Sequence, residues 1–263
     1  MKIIQAFENP SLYLKPDASL WRYMKLSTFL SLLRGTVFIP SLEKLGADDP
    51  KEGFLPWASP SSDDLCSFVA EKRLLDSTKA WLLEKATAQD LHDIGFHQAS
   101  PGGTELILLR IWYHELQKRR AIWCWHMSDN ESMAMWNVYA HQGIAIKTDP
   151  DSLCKSLGLD DSWQVLGGVL DYKRPDWKSW DYLEDETTAL SRPFMFKSVD
   201  YEHEKEVRIV LKLDSREGPG MHIPIDPTTL LKEVVVSPFL LEDEQGALVE
   251  ILRATFNGTG IKI

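Results

Sequence analysis

The sequence has little cysteine and lacks the short motifs that mark several common enzyme classes. Its three cysteines, Cys66, Cys124 and Cys154, are scattered without C-x-x-C spacing. A disulfide framework is therefore not expected, and a reducing compartment fits the composition. No G-x-S-x-G elbow is present, and the Gly102-Gly103 and Gly167-Gly168 pairs match neither phosphate-binding glycine fingerprint. The sequence therefore argues against a kinase, a GTPase or a Rossmann dehydrogenase.

Long apolar runs and an excess of positive charge are also missing. No stretch approaches the roughly 18 uncharged apolar residues of a membrane span, and residues 1–10 have too short an apolar run for a signal peptide. The net charge of -10 argues against broad adhesion to nucleic acid or anionic membrane, although it allows a local basic patch. These absences predict a soluble, cytoplasmic protein without membrane contacts.

What is present is the composition of a folded α+β protein. The hydrophobic fraction is 44%, with ten Trp and ten Phe, and no linker divides the chain, which predicts a single domain over 1–263. Alternation and apolar runs predict strands at Leu20–Met24, Thr36–Pro40, Ile122–Met127, Gly143–Thr148, Val165–Tyr172, Glu204–Leu213 and Glu233–Ser237. Helical spacing predicts helices at Lys25–Arg34, Ser62–Lys85, Thr104–Arg120 and Glu242–Phe256. The expected fold is α+β, with a mixed or antiparallel sheet core and a helical insertion at about 62–120.

Three local signals refine this map. Gly35 stands where a helix C-cap glycine belongs, after the first helix. The segment Gly46–Gly53 is rich in turn-forming residues. Ser128–Glu131 matches the S-x-x-E capping box and predicts that a helix carrying Met133 and Trp136 begins there.

The most informative segment is a late strand that alternates apolar and charged residues. Glu204, Glu206 and Arg208 are spaced by two and are expected on one face of this strand. Paired carboxylates raise each other's proton affinity unless a cation compensates, and the arginine supplies that cation. Such a face suits the stabilisation of positive charge on a sugar, but it also suits an exposed edge strand that charges keep soluble.

Metal and nucleophile chemistry find less support. Cys124 and His126 have C-x-H spacing, but no second ligand pair follows, so no metal is expected. His126 is instead interpreted as a hydrogen-bonded histidine or a substrate contact.

Four ordered segments resemble one bacterial family, the domain of unknown function number twenty-nine seventy-one. They are Leu20–Tyr23 with Leu33–Gly35, Asp48–Glu52, Ser132–Tyr139 with Gly143–Ile146, and Phe196-Lys197 with Tyr201–Arg208. The order of these motifs is similar to that of the ADP-ribosyltransferase fold, particularly its DNA-modifying toxin branch. The resemblance implies an ADP-ribosyltransferase-like sheet and NAD as a co-substrate.

The resemblance also implies roles for individual residues. Glu206 would stabilise the oxocarbenium-like transition state, and Glu204 would orient or deprotonate the acceptor. Arg22 would contact NAD phosphate or ribose, and Trp136 or Tyr139 would stack on nicotinamide. The further expected contacts are Tyr23, Lys197 and Arg208 for the cofactor, and His126 and Asp49 for the substrate. A nucleic acid or protein would be the acceptor, and an antitoxin is a possible partner of such a toxin or phage-defence effector.

Two other interpretations remain open at this stage. One is a non-catalytic module that binds a nucleotide or partner through Arg22, Lys197 and Arg208. The other is a nuclease in which Asp48, Asp49, Glu204 and Glu206 hold Mg²⁺, which clustered acids would allow.

Overall fold

The computed structural model describes residues 3–5, 12–48, 117–160, 163, 165–172, 192–212 and 219–263. Its strands are β1 Ile3–Gln5, β2 Leu20–Lys25, β3 Thr36–Pro40, β4 Arg120–Met127, β5 Gly143–Thr148, β6 Val165–Val169, β7 Glu206–Lys212, β8 Gly220–Pro224 and β9 Glu233–Val236. Its helices are α1 Leu26–Leu33, α2 Leu42–Asp48, α3 Met133–Tyr139, α4 Pro150–Ser156, α5 Pro227–Leu230 and α6 Glu242–Thr255. Two 3₁₀ helices, Arg192–Met195 and Val199–Glu204, precede β7.

Seven strands form one sheet in the order β1-β6-β7-β4-β2-β5-β9, and β3 pairs with β8 in a second sheet. The pair of β1 and β6 is parallel. The other strand pairs are antiparallel. This arrangement confirms the predicted α+β class with a mostly antiparallel sheet. The more specific ADP-ribosyltransferase type stays a prediction.

The opening unit follows directly from its local sequence. Leu20 to Lys25 alternate between the sheet faces as β2, and the apolar residues Phe29 and Leu32 of α1 pack onto the sheet. Gly35 then adopts φ 82°, a left-handed conformation that favours glycine and lets the chain turn from α1 into β3. The predicted strand, helix, glycine and strand are all confirmed.

The two faces of the large sheet are packed differently. One face has a continuous apolar core that includes Leu20, Trp123, Trp125, Val207 and Ile209. The opposite face has two separate clusters. One gathers around Ile122, Leu166, Phe194 and Val210, and the other around Trp21, Tyr23, Met135 and Trp136. Polar side chains of β4 and β7 lie in the interval between the two clusters.

The predicted start of the third helix is wrong. Helix α3 begins at Met133, and its N-cap is Ser132 rather than Ser128. The reason is that Glu131, which would complete the predicted capping box, instead accepts a hydrogen bond from Trp136 Nε1 at 3.0 Å. That bond anchors the first turns of α3 to the loop before it.

Other predictions about the first half of the chain are corrected or lie outside the described residues. Gly46 to Asp48 belong to α2 and not to a turn-rich loop. The helix predicted to end at Arg120 has ended before it, since Arg120 begins β4. The rest of the helical insertion, and Asp49, lie outside the described residues, and the single-domain organisation stays a prediction. Among the helices that the structure describes, none is long and apolar enough to cross a membrane.

Candidate active site

A pocket of about 210 Å³ lies over the large sheet, between the two apolar clusters. Strands β2, β4 and β7 form its floor, while α3 and the segment before β7 form its walls. Its lining consists of Trp21, Arg22, Tyr23, Pro40, Leu45, Ile122, Cys124, Trp125, His126, Met135, Tyr139, Lys197, Glu204 and Glu206. Residues from five separate parts of the chain therefore meet here.

The two acids of the late strand reach the pocket from different elements. Strand β7 begins at Glu206, whereas Glu204 ends the preceding 3₁₀ helix, so the prediction that both lie on one strand is wrong. Lys205 separates them in a left-handed conformation with φ 41°. Its N–H caps the 3₁₀ helix by donating to the Glu202 carbonyl at 3.1 Å. This kink places one carboxylate in the wall and the other in the floor.

The carboxylates meet at a buried lysine. Lys197 Nζ lies 2.5 Å from Glu204 Oε2 and 3.3 Å from Glu206 Oε2. Arg208 donates from Nε to Glu206 Oε1 at 2.7 Å, and from Nη1 to the Phe194 carbonyl at 2.7 Å. The side chains of this ion cluster are at most 8% exposed. Ion pairs that are this well shielded from water are weakly screened by salt.

Glu206 is held in its ionised form. Burial alone would raise the pKa of its carboxyl, but the charges of Arg208 and Lys197 outweigh that effect and lower the pKa to about 2. A hydrogen bond from the Cys124 side chain acts in the same direction. The pocket floor therefore contains an ionised carboxylate at neutral pH, which Arg208 and Lys197 compensate.

Arg22 enters the pocket through a gap in the sheet. Strands β2 and β4 pair only at Leu20↔Met127 and Trp21↔His126, and they separate beyond these residues. The Arg22 guanidinium lies in this gap, donates from Nη1 to the Cys124 carbonyl oxygen, and lies 5.8 Å from the centre of a Trp123 ring.

The guanidinium of Arg22 keeps most of its hydrogen-bonding capacity. Burial lowers its pKa, and the charge of Glu206 opposes that effect. An arginine has five N–H donors, and among the described residues only the Cys124 carbonyl takes one of them. The remaining donors suit the oxygen atoms of a ligand in the pocket.

Aromatic side chains form the rim and one wall. Tyr139 is 44% exposed, and its hydroxyl donates to Glu204 Oε1 at 2.7 Å. Burial and this hydrogen bond both raise the pKa of Tyr139. Tyr23 packs edge-on against Trp136 at 5.0 Å, and burial raises the pKa of Tyr23 to about 12. Both tyrosines therefore remain protonated at neutral pH.

Most residues predicted from the sequence meet at this pocket. The lining includes Arg22, Tyr23, His126, Tyr139, Lys197, Glu204 and Glu206. Arg208 and Trp136 are fully buried behind the lining. Their positions do not suit the direct cofactor contacts that were predicted for them. Arg208 instead supports Glu206, and Trp136 supports Tyr23.

Some contributors were not anticipated. The Tyr172 hydroxyl accepts from the Glu206 N–H at 2.7 Å and fixes the first residue of β7. Cys124 also lines the pocket and was not among the predicted site residues. The C-x-H spacing could have revealed Cys124, because it puts Cys124 and His126 on one face of β4, whereas no sequence signal marks Tyr172.

The described ranges contain no group of three or more His, Cys, Asp or Glu side chains placed to hold a metal ion. In the part of the site that the structure describes, Lys197 and Arg208 occupy the positions beside the acids that a cation would need. No protein-family model, curated protein or solved structure matches the chain. The resemblance to the family of unknown function therefore stays a prediction.

Proposed function

We propose that this pocket binds the nicotinamide ribose of NAD and transfers ADP-ribose to a nucleic acid or protein acceptor. The observation that carries the proposal is that an ionised carboxylate, Glu206, shares one pocket with the free donors of Arg22. Loss of nicotinamide leaves positive charge on the ribose, and a nearby fixed carboxylate stabilises that charge. A toxin or phage-defence effector would use this chemistry.

The size of the pocket and its other side chains support binding of the nicotinamide ribose beside Glu206. The pocket volume of about 210 Å³ is below the roughly 300–1,000 Å³ of complete ligand sites. It therefore suits the nicotinamide ribose, with the remainder of NAD extending outward. Arg22 would bind phosphate or ribose oxygens, and the half-exposed ring of Tyr139 would stack on nicotinamide. Lys197 Nζ lies 3.3 Å from Glu206 Oε2, which is the longer of its two contacts with the acids. A ribose hydroxyl can therefore replace Lys197 at Glu206.

The test is release of nicotinamide from NAD labelled in its nicotinamide ring. Purified protein is incubated with NAD alone, then with DNA, RNA or cell lysate. Glu206→Gln should lower the release at least about 100-fold because the charge opposite the ribose is lost. Glu250→Gln, which changes an exposed acid on α6, is the matched control and should leave the release unchanged.

Loss of activity through unfolding has to be separated from loss of chemistry. Glu206→Gln leaves two cations of the cluster facing one acid, so a second variant combines it with Lys197→Met and balances the charges again. Both variants are checked by circular dichroism. If the wild-type protein releases no more nicotinamide than these variants under any condition, the transferase proposal is eliminated.

The second candidate is a non-catalytic module that binds a nucleotide or partner. It is favoured by the full engagement of Glu206 with Arg208 and Lys197, which is typical of a structural ion pair. In that case Glu206→Gln should change ligand affinity by less than roughly threefold, under 1 kcal/mol. The Mg²⁺ nuclease remains a weaker prediction, because one of its acids, Asp49, lies outside the described residues.

A further inference from the structure

The imidazole of His126 is held by the backbone in one tautomer. Its Nδ1 lies 2.5 Å from the Glu204 carbonyl oxygen. A carbonyl oxygen only accepts hydrogen bonds, so Nδ1 carries the proton and Nε2 of the neutral ring is an acceptor. His126 lines the pocket, and Nε2 has no hydrogen-bond partner among the described residues. The pocket therefore contains an unprotonated nitrogen base.

Glu204, which the resemblance suggested as the group that orients or deprotonates the acceptor, is poorly placed to take a proton. Its Oε1 accepts from the Tyr139 hydroxyl at 2.7 Å, and its Oε2 contacts Lys197 Nζ at 2.5 Å. Both oxygens are thus engaged, and the side chain is 8% exposed. Its backbone carbonyl meanwhile orients His126. These contacts make Glu204 a positioning residue rather than a base.

We propose that His126 Nε2 takes the proton from the acceptor of ADP-ribose, an inference that rests on the proposed function. His126 lies directly opposite Glu206 across β4 and β7, and the Cβ atoms of such pairs are roughly 5 Å apart. A hydroxyl or water bound at Nε2 would therefore share the pocket with the sugar that Glu206 would stabilise.

In this step the acceptor oxygen forms a bond to C1′ of the ribose with its own electron pair. The C1′–N bond to nicotinamide breaks, and its electron pair neutralises the pyridinium nitrogen. The acceptor proton passes to Nε2, which gives an imidazolium that then loses the proton to water. No oxidant or metal is needed for this balance.

The charge state of His126 reflects its surroundings. Burial lowers its pKa, and the hydrogen bond to the Glu204 carbonyl opposes that effect. The titratable groups around the ring are Glu204, His203 and Lys205 before β7, Glu206 on β7, and Tyr23 on β2. The ring is therefore neutral and basic at pH 7, and it becomes protonated only under acidic conditions.

Two substitutions separate a catalytic from a structural role. His126→Asn places an amide N–H where Nδ1–H was, so it can keep the bond to the Glu204 carbonyl while removing Nε2. His126→Gln removes the base and that bond together. The matched control is His141→Asn, which changes an exposed histidine stacked on Phe239. Nicotinamide release from NAD, with water as acceptor, is followed for each protein between about pH 5 and pH 8.

The expected result is a fall in kcat of roughly 100-fold for His126→Asn with little change in KM for NAD, as for loss of a general base. We also expect the wild-type rate to decline at acidic pH, as His126 becomes protonated, and the variant to lack this decline. A His126→Asn protein as active as the wild type, with the same pH profile, would overturn the inference alone. The absence of release by the wild type would overturn it together with the transferase proposal.

A second measurement does not depend on activity. The ¹⁵N spectrum of the His126 ring in the free protein should show a protonated Nδ1 and a bare Nε2 at neutral pH. A ring protonated at Nε2, or doubly protonated, would overturn the proposal even if the variants lose activity.

Discussion

Replacing Glu206 by Gln should destabilise the protein strongly, and the loss should depend on pH. Glu206 is buried between Arg208 and Lys197. The substitution keeps the shape of the side chain but leaves the two cations facing only Glu204. Removing one partner of a buried ion pair costs roughly 3–5 kcal/mol, because the remaining charge is buried without compensation.

The lowered pKa of Glu206 expresses the same ion pairs as a dependence of stability on pH. The ordinary value of 4.5 falls to about 2 in the folded protein, which corresponds to roughly 3 kcal/mol of stability at neutral pH. A lowered folded-state pKa contributes stability that is present above the unfolded pKa and is lost as the pH falls through the folded pKa. The contribution should therefore disappear between about pH 4.5 and about pH 2.

Urea unfolding of the wild type and of Glu206→Gln at several pH values measures this contribution. At pH 7 the difference in free energy of unfolding should be about 3 kcal/mol or more, and it should shrink steadily below about pH 4.5. Glu250→Gln is the control and should change stability by less than about 0.5 kcal/mol at pH 7. A difference between wild type and Glu206→Gln that is below about 1 kcal/mol, or is constant with pH, would refute the reasoning.

Two further predictions concern the backbone around the site. Gly143→Ala would place a Cβ atom 2.2 Å from the Met24 carbonyl oxygen, so thermal unfolding should show a loss of about 2–3 kcal/mol. At Gly246 on α6, an added Cβ would have nothing within 4 Å, so Gly246→Ala should instead stabilise the protein by up to about 1 kcal/mol. Equal effects of the two glycine substitutions would contradict the argument. Lys205→Ile should destabilise by about 2 kcal/mol, because a β-branched residue fits φ 41° poorly. Lys205→Gly should be nearly neutral by urea unfolding, and similar losses in both variants would count against strain at this residue.

Sequence patterns identified those elements whose local signals are strong. The strand Gly143–Thr148 has the bounds predicted for it, because a glycine and a run of β-branched and apolar residues mark it clearly. The last helix is also close to its prediction, since its apolar residues recur at helical spacing over fourteen residues. Helix α4 was missed although Asp149 and Pro150 form a recognisable N-terminus. Strand β8 was missed because it is short and only partly buried.

Part of the site was predictable because its strand β7 has a strong local signal. Alternation alone indicated that Glu206 and Arg208 share a face of β7. Alternation could not reveal that Lys205 turns the chain into a left-handed conformation, because that turn depends on the preceding 3₁₀ helix. Nor could spacing show that Lys197 joins the two acids, since this contact depends on how the segment before β7 folds back. The engagement of both Glu204 oxygens followed only from the three-dimensional arrangement.

The short ladder between β2 and β4 affects how the two sides of the large sheet can move. Among the described residues, two residue pairs form the ladder between strands β1-β6-β7-β4 and strands β2-β5-β9, and the hydrogen bond from Arg22 to the Cys124 carbonyl adds a further link. Because this ladder is the shortest between neighbouring strands of the sheet, twisting the two groups of strands against each other would disrupt fewer backbone pairs here than elsewhere. His126 and Glu206 belong to the first group of strands, and Tyr23 belongs to the second. A molecule that contacts both groups of strands in the pocket would therefore restrain their relative twisting.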